Sequence, residues 1–153
     1  KKTLLLPFFA ALAAFLTGCA KSPDHALPAA APGHVHVAPH GGTLIQLGEH
    51  TYNLELVRDG EAGTLTVYVL DGHAENFVRI AAPAIELSAI SGGERRALTL
   101  RAIANPATGE TVGDTSQFEA QADWIKKAKQ FPGEITGLDL RGTKFDRVAY
   151  YLR

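Results

Sequence analysis

From Thr43 onward, apolar and polar residues alternate in short runs broken by turn residues, and this period of two constrains the fold more than any other feature. The runs are "TLIQL", "HTYNLELVR", "GTLTVYVLD", "AIELSAI", "RRALTLRAIA", "SQFEAQA", "GEITGLDLR" and "KFDRVAYYL". Such segments, separated by Gly-rich turns such as "DGEA" and "SGGE", predict an all-β domain, an antiparallel β-sandwich or small barrel of 7–8 strands. One stretch departs from the period. In "ADWIKKAKQF", Trp124, Ala128 and Phe131 recur at helical spacing, which predicts one short helix over an end of the core, with Trp124 as a packing residue. A length of 153 residues leaves room for one such domain, residues 40–153.

The segment before it reads differently. Lys1 and Lys2 precede an apolar run, Thr3 to Leu16, which ends in "LTGC". A basic start, a short apolar stretch and small exit residues make residues 1–18 a secretory signal peptide. The run falls short of the roughly 20 residues a membrane-spanning helix needs. Its end resembles a bacterial lipobox, which implies cleavage before Cys19 and acylation, including palmitate, of that sole cysteine. The expected location is the cell envelope, lipid-anchored through Cys19 and facing the periplasm. Lys21 stands where an inner-membrane retention aspartate would be, which favours the outer membrane. Residues 19–39 then form an Ala/Pro/His-rich tether without periodicity. With 15 basic against 16 acidic residues and no basic stripe, nucleic acid is not expected as a partner.

Histidine is the residue type that carries chemistry here. "GHVHVAPHGG" places His34, His36 and His40 within seven positions, with His25 upstream. The other two are His50 and His73. If Gly48-Glu49 is a two-residue hairpin loop, Leu47 lies opposite His50 and Ile45 opposite Tyr52. A second loop, Asp59 to Ala62, keeps Leu54 and Leu56 on one face with Leu65, Val67 and Val69, and sets His50 opposite Asp71. His40, seven positions before Leu47, then lies roughly 23 Å from that end at about 3.3 Å per residue. The histidines therefore divide into an arm group (His34, His36, His40) and a rim group (His50, Asp71, His73, with Glu75 beyond). Either set offers neutral imidazoles to zinc or copper(II). The plain alternatives are a solvated linker for the first and a His–Asp hydrogen bond closing the fold for the second. The chain has no methionine, so a thioether site for cuprous ion is excluded.

The stretch "PHGGTLIQLGEHTYNLELV", followed by "GTLTVYVLDG", resembles the N-terminal HGG-type domain of periplasmic adaptor subunits of heavy-metal (RND) efflux pumps, and small bacterial envelope lipoproteins built from that domain alone. The matching positions are His40, Gly41, Gly42, Gly48, Leu54, Glu55 and Leu56, within residues 39–72. The long helical hairpin and lipoyl-like domain of a full adaptor have no counterpart. The resemblance implies an envelope module concerned with metal ions, with a metal-efflux component as partner.

Two functions follow as expectations. The first is a lipid-anchored envelope protein that binds or buffers a divalent transition metal through histidines. The second is a non-catalytic interaction module with incidental histidines, presenting Tyr68 and Leu70 to another envelope protein. An enzyme is not expected, because no serine sits in a nucleophile-elbow pattern and "NPATGETVGDTS" lacks phosphate-loop spacing, reading instead as a surface loop.

Overall fold

The computed structural model describes residues 36–153. The expected signal segment, Cys19, His25, His34 and the expected tether up to residue 35 lie outside the described residues.

The predicted all-β domain is present. Among the described residues eight strands run β1 (Thr43–Leu47), β2 (Tyr52–Asp59), β3 (Thr64–Asp71), β4 (Ala84–Ser91), β5 (Glu94–Ala102), β6 (Gln117–Gln121), β7 (Phe131–Leu140) and β8 (Thr143–Leu152). They form one antiparallel sheet in the order β1-β2-β3-β6-β5-β4-β7-β8. The sheet curls until its first and last strands approach, where the Arg153 N–H donates to Thr43 Oγ1 at 3.3 Å. The result is a nearly closed barrel, the architecture that removes most exposed edges from an all-β domain.

The alternation correctly sorts inside from outside. Leu54, Leu56, Leu65, Val67 and Val69 are all buried, with Phe118, Ile135 and Leu152 filling the same core. Burying side chains of this size contributes about 1.5–3 kcal/mol each. Among the described residues a single helix, α1 (Asp123–Lys127), puts fully buried Ile125 into the core. Arg58 holds its end by donating to the carbonyls of Ile125 (2.9 Å) and Lys126 (3.1 Å). The helix is shorter than its spacing suggested. It ends at Ala128, and Phe131 opens β7 instead. Trp124 still meets Phe131 edge-on at 5.0 Å, so it packs as expected.

The strand register differs from the sequence reading by two residues. Thr43 pairs with Leu56, Ile45 with Leu54 and Leu47 with Tyr52, so the first hairpin loop has four residues, 48–51, rather than two. Gly48 (φ 61) and His50 (φ 62) both take left-handed conformations, and the Thr51 N–H closes the loop on Leu47 O. A two-residue turn would need only Gly48 in that region; a left-handed histidine is the feature that the sequence does not announce. In the second hairpin Leu54 pairs with Val69 and Leu56 with Val67. Its loop runs over 60–63, capped by Asp59 Oδ1, which accepts the N–H groups of Glu61 and Ala62. A shift of two keeps every side chain on its predicted face, which is why the core is right and the pairings are not. The predicted His50–Asp71 pair therefore does not form: Tyr52 stands opposite Asp71.

Candidate functional site

Two arrangements hold the four described histidines, His36, His40, His50 and His73, beside β2 and β3. The first sits where the loop after β1 meets the loop after β3. These backbones pack so closely that a Cβ on Gly72 would overlap the His50 carbonyl oxygen, so only glycine fits there. Asn53, itself buried, donates from Nδ2 to both Asp71 O and Gly72 O at 2.9 Å and fixes the second loop from below. Asp71 Oδ1 accepts the Glu75 N–H (2.9 Å) and Oδ2 accepts the Asn76 amide (2.6 Å). The Asn76 side chain first, and the loop N–H groups with it, hold the Asp71 carboxyl below the usual carboxylate range. Asp71 is thus the cap of its own loop and is turned away from the role of partner to His50.

His36 arrives at the same place from the other side. Its ring centroid lies 5.8 Å from those of both His50 and His73. Its Nδ1 is 3.0 Å from the His73 carbonyl oxygen. A carbonyl only accepts, so Nδ1 carries the proton and, in the neutral ring, Nε2 holds the lone pair. That Nε2 is enclosed and meets no hydrogen-bond partner among the described residues. His50 and His73 are exposed. Among the described residues, no three His, Cys, Asp or Glu side chains are already gathered in a metal-holding arrangement.

The second arrangement surrounds His40. Glu55 lies on β2 opposite Tyr68 of β3, and both project from the outer face of the sheet. Glu55 is fully buried and accepts three hydrogen bonds: from the N–H groups of His40 (2.8 Å) and Gly42 (2.9 Å) to Oε1, and from His40 Nδ1 (2.8 Å) to Oε2. The His40 ring stacks on Tyr68 at 3.9 Å and 14°, with Phe77 at 5.7 Å on its flank. The spacing of the "HGG" stretch follows from this contact. Gly41 is left-handed (φ 71), and a Cβ on Gly42 would come within 2.5 Å of the Leu56 carbonyl oxygen. His40 therefore serves Glu55, and the structure does not bring it to the other imidazoles.

An open cleft of about 450 Å³ adjoins His40, walled by Tyr68, Phe77 and Arg79. Arg79 is engaged by Glu110 (3.6 Å), Asp114 (3.3 Å) and the Thr108 carbonyl. The Thr108 and Ser116 hydroxyls in the cleft both donate to Glu110. Burial pushes the Glu110 carboxyl up, but these donors and Arg79 outweigh it and hold it below the ordinary range. The cleft thus pairs its acid with Thr108 and Ser116 and leaves His40 to the buried carboxylate. Residues 105–116 are the surface loop the sequence predicts, although Glu110, Thr115 and Ser116 within it are buried.

Of the sequence candidates, His36 lies beside both His50 and His73, while His40 and Asp71 each hold a different part of the scaffold. His34 and Cys19 fall outside the described residues. The two-group division of the histidines fails because the chain doubles back. Gly41 N–H closes a turn on Ala38 O, so the residues before it return toward His50 instead of leading away. Tyr68 and Leu70 do not make the exposed face expected of them: Tyr68 lies under His40 and Leu70 is fully buried. Glu55 entered the sequence reading only as a motif position, and its hold on His40 is what that reading missed. Its signal was a single carboxylate between two core leucines, on the strand face opposite to theirs. No family model, curated protein or solved structure matches the chain.

Proposed function

We propose that this chain is a lipid-anchored envelope protein that captures a divalent transition metal, zinc or copper(II), through His36, His50 and His73. The observation that carries the reading is the state of His36. Its Nδ1 proton is committed to a backbone carbonyl, its Nε2 meets no hydrogen-bond partner among the described residues, and its ring has two further imidazoles at 5.8 Å. A hydrogen bond from the far ring nitrogen to a carbonyl is how metal-ligating histidines are held in one tautomer and orientation. His50 and His73 are exposed and sit on loops, so rotation about their side-chain bonds brings them to an ion at His36 without moving the barrel. Three neutral nitrogens suit borderline cations and disfavour magnesium or calcium, which take oxygen.

The anchor in this reading is Cys19, with the outer membrane facing the periplasm as the location, and no catalysis is assigned. The partner is the membrane, with a metal-efflux component receiving the ion. The resemblance to efflux-adaptor HGG domains supports that role, and the mutual hold of His40, Gly41, Gly42 and Glu55 gives its motif a structural purpose. The test measures zinc and copper content, together with palmitate labelling, in the protein isolated from membranes. Stoichiometric metal in a labelled, membrane-bound chain, with Cys19→Ala released unlabelled, is the expected result. A labelled chain without metal refutes the binding role, and an unlabelled chain refutes the anchor.

A further inference from the structure

His36 reaches the His50 and His73 loops only because the chain behind it is fixed. Three residues, Val37, Ala38 and Pro39, separate it from His40. Val37 is 78% exposed, so no apolar burial holds this link in place. Ala38 O accepts the Gly41 N–H at 3.1 Å, with Pro39 at the second position of the turn, where its fixed φ is suited. Beyond the turn, the His40 backbone and ring are both bound to Glu55, and the ring lies flat on Tyr68. The link is thus pinned at one end by a buried carboxylate and at the other by the His36–His73 contact.

We propose that Glu55 is a positioning residue for the metal site: through His40 it fixes the arm so that His36 is delivered as the third nitrogen ligand. The proposal rests on the metal-binding reading above. Its physical basis is preorganisation. A ligand carried on a free chain must be ordered when the ion binds, and fixing even one residue's backbone costs about the free energy of a tenfold change in affinity. With the arm anchored, that ordering is already complete in the metal-free protein. Glu55 hydrogen-bonds to none of these three imidazoles, so its effect passes through the three-residue link from His40 back to His36. The same logic places the specificity for three-nitrogen coordination on the outer face of β2.

The test is a titration of the full chain with Cu²⁺, counting coordinated nitrogens from the hyperfine pattern in electron paramagnetic resonance. Three nitrogens are expected in the parent protein and two in His36→Ala. Glu55→Leu, close in volume, removes the acceptor of all three hydrogen bonds that hold His40 and Gly42. It should lower the affinity at least about tenfold and reduce the count to two. A second variant guards against loss of fold: a four-residue Gly-Ser insertion between Val37 and Ala38 leaves Glu55, His40 and both loops untouched. It should weaken Cu²⁺ binding by a similar factor without changing the melting temperature of the metal-free protein. Three nitrogens at unchanged affinity in both variants would overturn the positioning role while leaving the metal site standing. Fewer than three nitrogens in the parent chain would instead overturn the metal reading itself.

Discussion

The carbonyl oxygen of His50 lies against the α-carbon of Gly72, so the loops that follow β1 and β3 touch through bare backbone. This contact sets the spacing of the His50 and His73 imidazoles, since both are carried on the loops that it joins. Gly72→Ala should destabilise the protein by about 1–3 kcal/mol, the usual cost of forcing a methyl group into filled space. Urea denaturation reads that loss. The variant should also bind zinc more weakly than the parent.

The hold of Glu55 on His40 makes a separate prediction about stability. A buried carboxylate that loses one hydrogen-bonding partner keeps its desolvation cost. His40→Phe preserves a ring over Tyr68 but removes the Nδ1–H donor to Glu55. It should cost about 1–3 kcal/mol in the metal-free protein by chemical denaturation. Stability equal to the parent would mean that stacking, rather than the hydrogen bond, secures the arm.

Glu110 gives the loop over residues 105–116 a dependence on acid. Its carboxyl titrates below the ordinary glutamate range when folded, because the Ser116 and Thr108 donors and Arg79 outweigh its desolvation. A depressed folded pKa stabilises the protein above the unfolded glutamate value of about 4.3, and that contribution disappears as pH falls through the folded value. Hydrogen exchange at the Ser116 amide, which donates to Glu110 at 3.0 Å, should therefore accelerate on acidification beyond its intrinsic pH trend. Glu110→Gln should abolish that dependence.

The barrel core should respond independently of the site. Leu54 is fully buried between Ile45 and Val69 in the strand ladder. Leu54→Ala should cost about 2–5 kcal/mol, with the nitrogen count of the copper complex unchanged.

Much of the fold was legible because strand alternation is a strong local signal. Leu54, Leu56, Leu65, Val67 and Val69 declare their shared face in the sequence, and the eight runs give eight strands. The pairing was not legible, because loop length depends on whether a residue such as His50 tolerates a left-handed backbone. The site was legible as a set of residue types and not as a grouping. His36 looked like part of an extended spacer; its return to the barrel requires the Ala38–Gly41 turn and the buried carboxylate of Glu55, a partner fifteen positions from His40. Asp71 looked like a ligand because carboxylate beside histidine is a common metal pair. Its own loop, four and five residues downstream, takes both of its oxygens first.

The central claim is that His36, His50 and His73 bind one divalent ion, and a calorimetric zinc titration of the full chain tests it most directly. The account predicts one zinc per chain in the parent, with affinity falling at least about tenfold on alanine substitution of any one of the three, as the loss of one coordinating group of about 1.4 kcal/mol or more requires. The parent should also gain about 2.7 kcal/mol of stability at a hundredfold excess of zinc over its dissociation constant. No heat and no stabilisation in the parent, or zinc binding that survives all three substitutions, would contradict it.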